Sequence, residues 1–462
     1  MTKYFTKSAF IMSLECPRKL YYAYDKNKYA NQDLDDDFLK SLARGGFQVG
    51  EFAKLCYGIG KENTITTLKT DDAVSQTKEL FRRENINIAE AAFLYKNMLV
   101  RVDVIEKKGN VVNLIEVKAK SWNPEDSFQK QDNKGQISTN ADIKKYLYDV
   151  AFQKYVVVQA LKEIFPEEDF TVKAFLMLAD KSRTATVNGL NQLFRIKTTP
   201  EGRSYVETAP EAMEIVESIP LPERVVRPFD VDEECNNIID GKCTEQHKPE
   251  FMVGGCFEKH VTQMANDYCT HTKSDCIIGK KCFSCQFRKT QNDSSKMLDG
   301  YCECWMEKAL FDPSKAKRAL IQDLSGQHIG KKRDEYIRDR IFYMDQLTED
   351  NLQKNNGIIH EGLDHYQRKW LQIGIATKNN EILEDFQSDM VGDVYLDING
   401  IKKEMQSWKF PLHFIDFETS EVALPFYEKM RPYEDVAFQF SHHRVDKNDD
   451  GTFTYSYYGV KG

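Results

Sequence analysis

No apolar run in the chain approaches the roughly 18 residues that a membrane span needs. The opening stretch, MTKYFTKSAFIMSLECPRKLYY, has neither the apolar core nor the small-residue cleavage site of a secretory leader. A cytoplasmic protein with no membrane partner is therefore expected. Positive charge is also short: 64 Lys and Arg face 72 Asp and Glu, a net charge of -8 over 462 residues. This excludes indiscriminate polyanion binding by the whole surface, so any nucleic-acid contact must come from local basic patches. A content of 41% apolar and 12% aromatic residues supplies ordinary cores. At 100 to 200 residues per domain, the length suggests about three domains.

Disulfides are not expected in an intracellular chain, so eleven cysteines point to metal ligation. Cys16 and Cys56 stand apart, whereas the other nine fall between Cys235 and Cys304. Cys282-Phe-Ser-Cys285 and Cys302-Glu-Cys304 could supply four thiolates for tetrahedral zinc, with Cys243 and His247, or Cys269, His271 and Cys276, as additional ligands.

The stretch with the clearest chemistry is Leu99 to Ala119, LVRVDVIEKKGNVVNLIEVKA. Two runs rich in Val and Ile flank Gly109-Asn110, which predicts a β-hairpin. A two-residue loop pairs Lys108 with Val111 and sets Asp103 opposite Glu116. Alternation then puts Val100, Val102, Val104, Ile115, Val117 and Ala119 on one apolar face, and Arg101, Asp103, Glu116 and Lys118 on the other. Two carboxylates beside an ammonium suit a hard divalent cation, Mg²⁺ or Mn²⁺, with the lysine orienting a water or stabilising charge on a phosphate. The same residues would also suit a solvated hairpin face with a cross-strand ion pair.

Asp103 followed by Glu116-Val117-Lys118 resembles the PD-(D/E)xK nuclease signature. The segment C-terminal to it is similar to the RecB-type branch, in which a helix carries a glutamine; here that helix is Ala141 to Phe165, with Gln153 inside YDVAFQKY. The resemblance implies that Gln153 positions the lysine or the scissile strand, and that Glu51, on an upstream helix through Phe38 to Tyr57, donates to the metal. Tyr155 is expected to pack with Val156 and Val158. The resemblance also implies a [4Fe-4S] cluster held by Cys16 in ECPRKLYY and by Cys282, Cys285 and Cys304, with Cys302 competing for the last place.

Further helices are expected at Phe5 to Tyr24, capped by Ser8, and at Thr70 to Glu84. Lys120 to Asn140 is expected as a polar active-site loop, and Thr171 to Leu178 as a strand beside the hairpin. Between Ser314 and Lys403 the clearest helical pieces are Ala316 to Leu320, Arg333 to Tyr343 and Tyr366 to Ile375. Lys331, Lys332, Arg333, Arg338 and Arg340 could follow a phosphate backbone or form a solvated helix face. Pro411 to Thr419, PLHFIDFET, predicts a strand whose Asp416 and Glu418 point to one side. It resembles the first motif of DnaQ-like, RNase H-fold exonucleases, in which such a pair holds two Mg²⁺ ions. Val436 to Val445 and Thr452 to Tyr458 are expected as the next strands, and the chain is expected to be a fragment or its second site vestigial. The order of parts resembles a bacterial family of uncharacterised proteins that joins the two kinds of nuclease domain.

The expected fold class is mixed α/β: a restriction-endonuclease-like core (1-305) with a central mixed sheet flanked by helices, a helical linker (306-408), and the start of an RNase H-like domain (409-462). The expected function is metal-dependent exonucleolytic cleavage of DNA, at single-stranded ends, by Asp103, Glu116, Lys118 and Gln153. The alternative is an inactive nucleic-acid-binding or scaffolding protein in DNA repair or phage defence, stabilised by zinc.

Overall fold

The computed structural model describes residues 3-34, 37-199, 204-289, 293, 295-309, 319-324, 329-352, 363-392 and 394-459, with side chains except at 34, 37-44, 329-331 and 459. The fold is mixed α/β, and the described chain divides into two compact units. The first comprises Met1–Lys26, Asp33–Cys276 and Thr419–Val436; the second comprises Asn27–Gln32, Ile277–Glu418 and Ala437–Gly462.

The first unit is built on a six-stranded mixed sheet. Hairpin strands Met98–Lys108 and Val111–Trp122 pair antiparallel from Lys108↔Val111 to Val104↔Ile115, in the register derived from the sequence. Gly109, at φ +56°, supplies the left-handed turn conformation that favours glycine. The second hairpin strand runs parallel to Thr171–Asp180, which pairs antiparallel with Val226–Asp230. Asn85–Tyr95, which the sequence did not announce, covers one whole edge of Met98–Lys108. The opposite edge of Met98–Lys108 is shared. Phe5–Thr6 pairs parallel with Met98 and Leu99, the hairpin partner pairs from Val104 onward, and Val100 to Asp103 lie in the gap between them.

Both faces of this sheet are covered, which corrects the single apolar face expected from alternation. Val100 and Val102 pack with Ile105, Val112 and Leu114 on the side of helix Lys144–Ile164. Val104 and Ile115 pack on the other side with Val49, Phe52 and Ala53 of helix Asp37–Cys56, and Val117 and Ala119 lie against that second cluster. The alternation breaks at Asp103, where the neighbouring strand places Glu90 at φ +58° and skips a pairing between Ala89↔Val104 and Ala91↔Val102.

The expected helix over Phe5 to Tyr24 is two helices, Lys7–Glu15 and Lys19–Tyr24. Pro17 disfavours helical backbone at Cys16, which is extended (φ -165°, ψ 120°). Thr6, rather than Ser8, caps the first helix, its hydroxyl accepting from the Ala9 N–H at 3.4 Å. That helix packs against Lys144–Ile164 through Phe10 and Phe152, stacked at 4.7 Å. It meets helix Phe257–Cys269 through a buried polar pair. His260 Nδ1 accepts from the Val253 N–H at 3.0 Å, so Nε2 carries the proton toward Ser13 Oγ, 2.8 Å away. Ser13 in turn donates to the Phe10 carbonyl at 2.6 Å. The pair is therefore a structural clamp: a protonated Nε2 is no base for the serine.

In the second unit, Tyr301 and Trp305 of helix Gly300–Ala309 pack with Leu320, Ile337, Phe342 and Tyr343, and Cys282, Cys285 and Cys302 lie against the same cluster. Helices Ile329–Arg338 and His365–Thr377 come next; the second covers the expected Tyr366 to Ile375, whereas the expected Arg333 to Tyr343 is helical only as far as Arg338 and turns at Arg340, at φ +60°. The expected piece at Ala316 to Leu320 falls mostly outside the described residues. Strands Leu412–Ser420, Val436–Lys447 and Phe453–Gly459 form a three-stranded sheet with Phe414, Ile415, Phe417, Phe438, Phe453, Tyr455 and Tyr457 exposed.

Burial pushes the His260 imidazole down to about 4, so at intermediate pH the unfolded chain binds a proton that the folded one refuses. Stability should fall as pH drops from about 6.5, the unfolded value, toward 4, by up to about 3 kcal/mol from this group. Urea unfolding across that window checks it, and His260→Gln should flatten the slope.

Candidate active site

The gap along Met98–Lys108 is where the chemistry gathers. Asp103, lacking a strand partner on that edge, turns its carboxylate across: Oδ2 accepts from the Val117 N–H at 2.8 Å. The side chain thus replaces a missing ladder bond and holds the strands apart as a fork. Glu116 lies on the opposing strand, paired in parallel with Leu176, and is wholly buried. Past Val117↔Met177 the register slips, the next pair being Ser121↔Ala179; four positions on one strand match two on the other. Lys118 sits in this bulge, on the same face as Glu116, with its ammonium 2.6 Å from Glu116 Oε1.

Helix Lys144–Ile164 supplies two groups one turn apart, Asp149 and Gln153. Gln153 Nε2 donates to Glu116 Oε2 at 2.8 Å and to Asp149 Oδ1 at 3.0 Å. Two carboxylates can be met only by the NH₂ end of the amide, which fixes its orientation. Gln153 Oε1 is left buried without a partner. Asp149 Oδ2 receives the Lys118 ammonium at 3.0 Å. The last member is Lys7, the first residue of its helix, whose Nζ lies 2.8 Å from Glu116 Oε1 and 3.7 Å from Asp103 Oδ1. The Tyr146 ring flanks Lys118 at 5.7 Å.

Three carboxylates and two ammoniums thus share one small volume. Burial and the Glu116 charge push the Asp103 carboxyl up, to about 7, and push Asp149 up as well. Burial would also raise Glu116, but Lys7 and Lys118 overcome it and hold that carboxyl below the usual range. Both lysines are raised despite their own burial, Lys7 by Glu116, Asp103 and Asp149, and Lys118 by Glu116, Asp149 and Asp103. In this state Lys118 is a charged donor and not a base for water.

Asp103, Glu116, Lys118 and Gln153, all expected from the sequence, therefore meet. Asp149 and Lys7 were missed. Asp149 was within reach, since it precedes Gln153 by four on one helix face; Lys7 had no local signal, because its contact spans 109 positions. Glu51 is on helix Asp37–Cys56, which packs against the opposite face of the sheet, and its carboxylate accepts from Lys54 at 2.6 Å.

Among the described residues, no three His, Cys, Asp or Glu side chains gather in a metal-holding arrangement. Mg²⁺ asks for less, because it keeps several waters and is often bound by one or two carboxylates. Asp103 Oδ1 and Glu116 Oε1 already face one cation, the Lys7 ammonium, so the pair fits a small hard ion in that place.

The thiols expected to hold a cluster are divided between the units, Cys16 in the first and Cys282, Cys285 and Cys304 in the second. Cys16 shares a hydrogen bond with Cys276, which together with burial raises its thiol. Cys282 and Cys285 flank one tight turn, with the Cys285 N–H donating to the Cys282 carbonyl at 3.1 Å. Cys304 is buried on its helix. Tyr155 is a core residue, edge-on to Phe257 at 5.7 Å. Of the basic run, Arg333 donates to the Leu324 carbonyl at 3.0 Å and lies over the Phe283 ring, so it serves packing. Asp416 and Glu418 are exposed on the three-stranded sheet, and Asp416 Oδ1 accepts from the Phe417 N–H at 3.0 Å.

Asp103→Ala should leave the Val117 N–H without its acceptor and cost about 1–3 kcal/mol, whereas Asp103→Asn keeps an accepting oxygen and should fold with near-native stability. Urea denaturation of both variants measures the difference.

No curated protein gives a significant match to the chain. The family model that matches covers residues 413–458, the three-stranded sheet, and is described as a domain of unknown function (DUF2779).

Proposed function

We propose that the first unit is a metal-dependent phosphodiesterase acting on DNA, a nuclease of the PD-(D/E)xK, RecB-like kind with a restriction-endonuclease-like core. The observation that carries this reading is the meeting of Lys118 and Gln153 on the Glu116 carboxylate in the fork of the sheet, with Asp103 turned to the same Lys7 ammonium as Glu116. Asp103 Oδ1 and Glu116 Oε1 would hold Mg²⁺ or Mn²⁺, which when bound polarises the phosphate and lowers the pKa of a coordinated water. Lys118 presents a fixed positive charge beside that position, suited to a phosphate oxygen or to orienting the attacking water. Gln153 locks the rotation of Glu116 from behind, through Oε2, and leaves Oε1 facing the cation.

The proposal predicts Mn²⁺-dependent cleavage of single-stranded DNA that falls at least about 100-fold in Asp103→Asn, Glu116→Gln and Lys118→Met, measured on end-labelled oligonucleotides. Gln153→Leu should weaken cleavage less than any of these, since it acts through the orientation of Glu116 and Asp149. Neutralising Asp416 and Glu418 should leave the activity unchanged. Binding without hydrolysis, indifferent to Lys118→Met, would replace the nuclease reading with that of a nucleic-acid-binding scaffold.

A thiolate-held cluster is a separate proposal. Iron and sulfide in anaerobically purified protein, with absorbance near about 400 nm, support [4Fe-4S]; a colourless protein containing zinc replaces it.

A further inference from the structure

Lys7 has no place in the chemistry of hydrolysis, yet it makes the same contacts that a bound metal would make. Its ammonium is 2.8 Å from Glu116 Oε1 and 3.7 Å from Asp103 Oδ1. Glu116 Oε2 is held by Gln153 and Asp103 Oδ2 by the Val117 N–H, so the two oxygens on Lys7 are the ones turned toward the gap, with Glu116 Oε1 shared between Lys7 and Lys118, 2.6 Å away. We propose that Lys7 is the resident cation of the metal-free site, and that a divalent ion enters by exchange with its ammonium. The inference rests on the reading of Asp103 and Glu116 as metal ligands.

The need for such a cation arises from burial. Glu116 is wholly buried, and a carboxylate in that position is strongly destabilising unless paired. Lys118 alone meets the need only in part, because its charge is shared with Asp149. With Lys7 absent and no metal bound, three carboxylates would face one ammonium. With a divalent ion on Glu116 Oε1 and Asp103 Oδ1, the Lys7 ammonium would be repelled from the oxygens it now holds. The position between Glu116 Oε1 and Asp103 Oδ1 takes either the Lys7 ammonium or the metal ion, while Lys118 stays on Glu116.

The two lysines differ in how they could leave. Lys118 is fixed by Glu116, Asp149 and the Tyr146 ring. The two side chains are similarly exposed (26% and 23%), but Lys7 stands at the first turn of a helix, whereas Lys118 is carried by a strand of the fork. Lys7 can turn to water without disturbing either strand of the fork. Exchange also sets selectivity. An ion must compete with an internal ammonium already paired to both oxygens, which favours divalent over monovalent cations and keeps the buried carboxylate neutralised during loading and loss of the metal.

The test reads Lys7 directly on the full-length protein, without using cleavage. Acetylation of lysines, followed by mass spectrometry, should show Lys7 protected in metal-free protein and several-fold more reactive at saturating Mn²⁺. Lys154, paired with Asp232 at 2.7 Å, should not change. In Asp103→Asn the Mn²⁺ effect on Lys7 should vanish. Calorimetric Mn²⁺ titration should give Lys7→Met a Kd at least about tenfold lower than that of the unsubstituted protein, and Lys118→Met a smaller change or weaker binding. Tight Mn²⁺ binding with Lys7 reactivity unchanged, or equal Kd for Lys7→Met and the unsubstituted chain, overturns the exchange while leaving the metal site standing. Absence of Mn²⁺ binding in the unsubstituted chain overturns the metal reading itself, before Lys7 is in question.

Discussion

A carboxylate with no access to water dominates the first unit. Glu116 sits inside a sheet covered on both faces, where its charge must be met by cations and hydrogen-bond donors. Three elements bring them. The second hairpin strand supplies Lys118, the helix Lys144–Ile164 supplies Gln153, and the first helix supplies Lys7. Each contact costs chain entropy that an exposed glutamate would not demand. Stability does not require their convergence, since a well-packed apolar residue would serve the core as well.

The fork in the sheet makes this possible. A continuous ladder between Met98–Lys108 and Val111–Trp122 would bring Asp103 and Glu116 face to face in regular pairing and leave no room for a third group. Instead the pairing stops at Val104↔Ile115, the two-residue strand Phe5–Thr6 takes the far end of the same edge, and Lys7 comes immediately after it. Asp103 consumes the backbone donor exposed by the opening, so the irregularity leaves the Val117 N–H paired. Glu90, opposite, absorbs the break in a left-handed backbone conformation.

Elsewhere, polar groups of similar appearance have other uses. His260 and Ser13 lie within hydrogen-bond distance like a nucleophile and its base, but the Val253 N–H fixes the tautomer the wrong way round for that chemistry. Arg333, within a basic run, serves a carbonyl and an aromatic ring. In the second unit the three-stranded sheet exposes aromatic rings along every strand, Phe414, Phe438 and Tyr455 among them, while Asp416 and Glu418 remain in water with no third carboxylate gathered to them among the described residues.

The sequence by itself determined what depends on local periodicity. The hairpin with its register as far as Val104↔Ile115, the glutamine helix and the strand beside the hairpin derive from turn chemistry and local periodicity, which act over a few residues, whereas the expected pairing of Asp103 with Glu116 does not form because the fork opens before it. Asp149 could have been read by the same rule, four positions before Gln153. The strand Asn85–Tyr95, the burial of both sheet faces and the division into two units could not, because tertiary packing overrides pattern wherever a segment is apolar on both sides. Lys7 is the clearest case. Its chain neighbours say nothing of Glu116, and only a two-residue parallel pairing, Phe5↔Met98 and Thr6↔Leu99, places its ammonium on that carboxylate, 109 positions away.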